Sequence, residues 1–124
     1  MHTQPLSDIL SQLNTAASDI AASAIVSEDG SAITLAGTPP LDFDHDEISA
    51  FSAALFHLGH RAMERFVGGD FERIMVKSRS GYLLAVPASQ DLILTALAKP
   101  GAALEPVFAE MGRAVHRIHA AGTA

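Results

Sequence analysis

The sequence predicts an α/β (α+β) sandwich in which five strands form a largely antiparallel sheet and helices cover both faces, in the order αββαβββα. Three observations lead there. Ala24-Ile25-Val26, Leu83-Leu84-Ala85-Val86 and Leu92-Ile93-Leu94 are apolar on successive residues, the mark of strands buried on both faces. Short turns join most neighbouring strands, which imposes antiparallel pairing. Asp46 to Phe66 has helical periodicity but is apolar around too much of its circumference for an ordinary surface helix.

Leu6, Ile9, Leu10, Leu13 and Ala17 recur at helical spacing and predict a short first helix, with Ser7 as N-cap behind Pro5. Ala21 to Ser27 reads as a strand, Glu28-Asp29-Gly30 as a tight turn and Ala32 to Ala36 as the return. Gly37-Thr38-Pro39-Pro40 cannot continue a ladder, so a loop runs to Asp44. The Asp44 side chain is placed to cap the long helix while Glu47 reaches back from N3. Gly68-Gly69 ends that helix.

Phe71 to Lys77 is the next strand, and its charges Glu72, Arg73 and Lys77 suit an edge. Ser78-Arg79-Ser80-Gly81 turns the chain into Tyr82 to Val86, and Leu92 to Ala98 follows as the last strand. Lys99-Pro100-Gly101 breaks the chain before a final helix from about Leu104 to Ala120. Its apolar side is Leu104, Val107, Phe108, Met111, Val115 and Ile118, and Ala121 to Ala124 are expected to fray. The whole is one domain, residues 1–124, with an ordered core over 6–120.

Projected at 100° per residue, the long helix carries a stripe of Ile48, Phe51, Ser52, Leu55, Gly59, Ala62, Met63 and Phe66, expected to face the core. A second strip, Ala50, Ala54 and Leu58, is edged by Glu47, Arg61 and Arg65, and its small residues suit the close approach of another helix. A chain this short has few elements left to cover two faces, so the second strip reads as a contact for a partner. Surface pairing with Glu47 or Glu64 is the expected role of Arg61 and Arg65.

The 124 residues suffice for a real core without staples, and the absence of cysteine excludes thiolate catalysis, thiolate metal sites and disulfides. No basic leader precedes an apolar run and no segment approaches a membrane span, so a soluble cytoplasmic protein is expected. A net charge of -6 with scattered cations argues against nucleic-acid binding. The apolar content of 48% suits an oligomer that hides part of its surface.

No catalytic residue, cofactor or metal site is expected. His57 and His60, like His116 and His119, have ligand spacing, but no third ligand is placed and the first pair projects away from the core stripe. Asp42, Asp44, Asp46 and Glu47 fail the EF-hand pattern, which needs Gly where Glu47 stands and Glu where Ala53 stands. Helix capping and dipole complementarity account for these acids. Gly68-Gly69-Asp70-Phe71-Glu72 lacks the paired acids of a diguanylate cyclase, and no phosphate-binding glycine motif occurs.

The element order, the string Ile48-Ser49-Ala50-Phe51-Ser52-Ala53-Ala54-Leu55 with Leu58-Gly59, Ser23 to Gly30 at the first hairpin, Gly69-Asp70-Phe71, and Gly81-Tyr82-Leu83-Leu84 together resemble the Roadblock/dynein light chain family over nearly the full length. The resemblance implies a five-stranded antiparallel sheet with the long helix on one face and the terminal helices on the other. It implies a homodimer in which third strands pair edge to edge and long helices pack antiparallel. On this chain the interface would comprise Glu47, Ala50, Ala54, Leu58, Arg61, Phe71, Arg73 and Met75. Ser49, Ala53, His57, His60 and Glu64 would remain as a partner surface. The implied function is a non-enzymatic regulatory or scaffold module for a Ras-like small GTPase in bacterial signalling or motility. The alternative is a small-molecule-sensing signalling domain, since sandwiches of this size also bind ligands.

Overall fold

The computed structural model describes residues 3–122. The elements are α1 (Thr3–Ala16), β1 (Ile20–Ser27), β2 (Ala32–Gly37), α2 (His45–Phe66), β3 (Ile74–Ser78), β4 (Gly81–Ser89), β5 (Leu92–Ala98) and α3 (Leu104–Gly122). The five strands form one antiparallel sheet in the order β2-β1-β5-β4-β3. The strands with continuous apolar runs, β1, β5 and β4, are therefore central, and charge-bearing β3 is an edge as expected.

The α1 and α3 helices share one face with Leu10, Leu13, Ile25, Leu84, Leu94, Met111 and Ile118, which form the larger core. The smaller core on the opposite face joins Ala24, Val26, Ala85 and Ile93 to Ala53 and Phe56 of α2. Alternation along β5 explains the division, because Leu94 and Ile93 point to opposite faces.

Several boundaries differ from expectation: β1 starts at Ile20, Gly37 still pairs with Ala22 although the loop was expected to begin with it, and β4 runs through Pro87 to Ser89 instead of ending at Val86. Pro5 and Ser7 lie inside α1, so Ser7 is not its N-cap; proline is tolerated in a first turn, whose N–H groups have no intrahelical partner. The ladder of β3 begins at Ile74 and not at Phe71, because residues 71–73 are drawn aside by side-chain contacts described below. Ala121 and Gly122 continue α3, while Thr123 and Ala124 lie outside the described residues. The turn at Glu28-Asp29-Gly30 is as expected, with Gly30 at φ 92° and the Ser31 N–H donating to Asp29 Oδ1 at 2.9 Å.

Candidate protein interface on the long helix and third strand

The start of α2 is set by a reciprocal cap. Asp44 is extended (φ -90°, ψ 164°), its Oδ1 accepts from Glu47 N at 2.9 Å, and its own N–H donates to Glu47 Oε1 at 3.1 Å. At the other end, Val67 N and Gly68 N both donate to Met63 O, at 3.0 and 2.7 Å. Gly68 and Gly69 then take φ of 84° and 83°, where a side chain would be strained.

Between these ends α2 is turned, relative to the expected core stripe, by somewhat less than one residue step. Its buried residues are Ile48, Ser49, Ser52, Ala53 and Phe56. Leu55, Gly59 and Ala62 are half-buried, whereas Phe51 (65% exposed), Met63 (38%) and Phe66 (77%) are not core residues at all. The reason is shape. Small Ser49, Ser52 and Ala53 let the helix approach a sheet wall containing Ala24 and Ala85, and Phe56 fills the remaining space edge-on to Phe71 at 5.0 Å.

This turn corrects two residues of the expected partner surface. Ser49 and Ala53 lie against the protein's own sheet, and the Ser49 hydroxyl donates to His45 O at 2.7 Å. His57, His60 and Glu64 are exposed as expected. His57 Nε2 stands 2.9 Å from Glu28 O, which ties the helix to the β1–β2 hairpin, and His60 stacks on Phe71 at 5.8 Å.

Of the expected interface, Glu47, Ala50, Ala54, Leu58 and Arg61 are all exposed. Ala50 sits beside the first hairpin: its Cα would be 3.8 Å from a Cβ placed on Gly30. Neither Arg61 nor Arg65 forms the expected ion pair among the described residues, and the Arg65 guanidinium instead lies 5.4 Å over the Phe66 ring. On the strand side, Met75 is 52% exposed on the free edge. Phe71 and Arg73 precede the strand: Phe71 turns inward to Phe56, while Arg73 stays exposed and lies over Phe108, whose ring centroid is 4.1 Å from the guanidinium carbon.

A groove that the sequence does not announce lies between α2 and the sheet. It encloses about 540 Å³ and is lined by Leu41, Phe43, Phe51, Val76, Tyr82 and Leu83, among others, with Glu47 its one charged residue. The signal for it was two large apolar residues, Leu41 and Phe43, in a loop otherwise rich in proline and aspartate. No group of three metal-ligating side chains and no helix long and apolar enough to cross a membrane occurs among the described residues.

Residues 6–98 match the family model of the Roadblock/LC7 domain. The chain belongs to the Roadblock/LC7 family. Its fold is similar to that of a Roadblock/LC7 domain from Streptomyces avermitilis, at TM-score 0.86 and 24% identity over 95% of this chain and 98% of that one. Myxococcus xanthus MglB matches at TM-score 0.86 and 13% identity, over 95% and 94% of the two chains. The gliding protein MglB of Thermus thermophilus matches at 0.82 and 12%, over 95% and 90%. No curated protein matches the sequence significantly. Roadblock/LC7 is a family of adaptors and regulators and not of enzymes.

Proposed function

We propose that this Roadblock/LC7 domain is a non-enzymatic, homodimeric regulator or scaffold that engages a Ras-like small GTPase in bacterial signalling or motility. One observation carries the dimer. The α2 helix leaves Phe51, Leu58, Met63 and Phe66 facing water while its large buried side chains are only Ile48 and Phe56. Fully burying one such side chain is worth roughly 1.5–3 kcal/mol, so a surface that covers several of them is strongly favoured. The free edge of β3, with exposed Met75 and Val76, adjoins it and offers unpaired backbone groups to a second copy. A preformed pair of α2 helices is a rigid platform that binds one nucleotide-dependent switch conformation of a GTPase better than the other and thereby biases it.

The relatives support this reading: one solved structure is described as MglB with a tetrameric arrangement and another as a gliding protein. Light scattering at micromolar concentration tests the dimer, with about 26 kDa expected from two 13.0 kDa chains. A mass of one chain would refute it. The GTPase is tested by capture from host extract loaded with GDP or with a non-hydrolysable GTP analogue. Nucleotide-dependent recovery of a small GTPase is expected, and its absence from both eluates would refute the partner assignment.

A further inference from the structure

We infer that the face of β3 turned away from α2 docks an acidic segment of a partner protein, held by Arg73, Lys77 and Arg79 around the apolar anchor Met75. The surface is distinct from the α2 platform and does not depend on the homodimer.

Charge is partitioned along this chain. Its eight Lys and Arg all follow residue 60, whereas Asp8, Asp19, Glu28, Asp29 and the acids of 42–47 precede them. The sheet order converts that division of sequence into one of space, because β2 and β1 form one side and β4 and β3 the other. Arg73, Lys77 and Arg79 collect at the β3 edge, exposed, and none has an ion-pair partner among the described residues. Even Glu72, their neighbour in sequence, pairs with none of them.

Register decides which face they use. Met75 stands opposite Leu84 and Lys77 opposite Tyr82, and both partners pack in the core beneath α1 and α3. Ile74 packs with the core under α2 instead, and Val76 lines the groove on that side. On the Met75 side α1 covers β1 and β2 while α3 covers β4, which leaves β3 without a helix above it and Met75 52% exposed. Pairing of the β3 edge with another strand uses backbone groups in the plane of the sheet and leaves this face open.

The cations are seated on rings. The Arg73 guanidinium carbon lies 4.1 Å from the Phe108 ring centroid, and the Lys77 ammonium stands 5.8 Å over Tyr82. A ring occupies one side of a cation and leaves N–H donors pointing outward, so a carboxylate binds without first ordering the side chain. Charges that serve only to keep an edge strand from pairing need no such seat. Past Lys77 the surface continues into a cleft of about 510 Å³ lined by Lys77, Ser78, Arg79, Tyr82, Pro100 and Gly101, with no carboxylate among these described residues.

Spacing selects the ligand. Arg73 and Lys77, four residues apart on an extended chain, are separated by roughly 13 Å, with the Met75 thioether between them. That order of charge, apolar contact and charge suits a protein segment with carboxylates on either side of an apolar residue. A phosphate backbone offers the charge without the apolar partner, and a flat bilayer is held off the bare strand by α3, which stands about 10 Å higher.

The test selects short random peptides on the immobilised full chain and, in parallel, on a variant carrying Arg73→Glu and Lys77→Glu. Peptides with an apolar residue between acids should be enriched on the wild type and not on the variant. By fluorescence anisotropy a labelled selected peptide should bind the variant at least about tenfold more weakly. It should bind normally to Arg113→Glu with Arg117→Glu, which makes the same change of charge on exposed positions of α3. Selected peptides without acidic residues, or equal weakening by the two charge reversals, would overturn the proposal. So would tighter, competing binding by oligothymidylate or by phosphatidylserine vesicles, which would assign the surface to nucleic acid or to membrane. Met75→Ser keeps every charge and should also weaken the peptide, and an unchanged affinity would refute its role as anchor. Should the double reversal fail to fold, Met75→Ser and Arg79→Glu put the same question at single exposed positions.

Discussion

Replacing Thr95 by valine should stabilise the protein. Thr95 lies at the middle of β5, paired with Ala24 of β1 and Ala85 of β4, and is fully buried beneath α2. Among the described residues its Oγ1 has no hydrogen-bond partner, and neither does Oγ of Ser52, which is fully buried on the sheet-facing side of the helix. A hydroxyl taken out of water and left unpaired costs roughly 1–3 kcal/mol in mutational data. Valine matches threonine in shape, opens no cavity and is at home in a central strand, so Thr95→Val should recover at least about 1 kcal/mol of that cost. For a chain of this size that is a rise in melting temperature of roughly 3–5 °C. Urea unfolding of both proteins is the assay, at one protein concentration, because a dimer's stability varies with concentration. A midpoint that falls or stays put would refute the reasoning and mean that Oγ1 is satisfied in solution. A cycle with Ser52→Ala would then show whether the two hydroxyls act together, since coupled groups depart from additivity.

Asp44→Ala removes the side-chain half of the α2 cap, leaving the backbone N–H that donates to Glu47, and should cost about 1 kcal/mol in the same denaturation assay. Gly59→Ala gains about 1 kcal/mol of helix propensity but forces Ile74 aside, an overpacking that costs roughly 1–3 kcal/mol, so the net should be a loss. An unchanged or raised melting temperature would show that Ile74 swings away freely. Asp29 is held below the ordinary aspartate range by hydrogen bonding first from the Ser31 hydroxyl and then from its N–H. Because its folded pKa is the depressed one, its contribution is present above the unfolded pKa and lost as pH falls through the folded value. A carboxyl-detected NMR titration should show that low midpoint, and Ser31→Ala should raise it. Ala54→Arg places a charge on the exposed strip of α2 and should yield monomer by light scattering, whereas an unchanged dimer would remove that strip from the interface.

Local chemistry made most of the fold readable. Asp29-Gly30, the Asp44/Glu47 pair and Gly68-Gly69 each impose a backbone conformation without help from distant residues, and each does in the structure what its residue types require. The span of β5, Leu92–Ala98, follows from an apolar run between breakers. The start of β3 was not readable in this way. Phe71-Glu72-Arg73 alternates like a strand, yet Phe71 is claimed by Phe56 and His60, and Arg73 by Phe108 on α3. Those partners lie 11 to 35 residues away in sequence, so nothing local marks the point where the ladder begins.

The orientation of α2 shows a deeper reason why the candidate interface was only half legible. An apolar period reports that a side chain avoids water and does not say which surface removes it from water. Phe51, Met63 and Phe66 fit a core stripe because they are large, but a wall built with Ala24 and Ala85 is best approached by Ser49, Ser52 and Ala53. The large residues are thereby displaced toward the side of the helix that a second copy would cover. The expected core stripe was thus present in the pattern with part of its membership wrong: Ser49 and Ala53 belong to the core, and Phe51, Met63 and Phe66 do not. It follows that the exposed phenylalanines are a sharper probe of assembly than the alanines of the strip. Removing Phe66, which is exposed, should leave the fold intact while reducing the apolar surface that the proposed dimer would cover, whereas enlarging Ala54 tests only proximity. If Phe51→Ser and Phe66→Ser each weaken the dimer without lowering the stability of the separated chains, the apolar surplus on α2 belongs to the pair and not to the single fold.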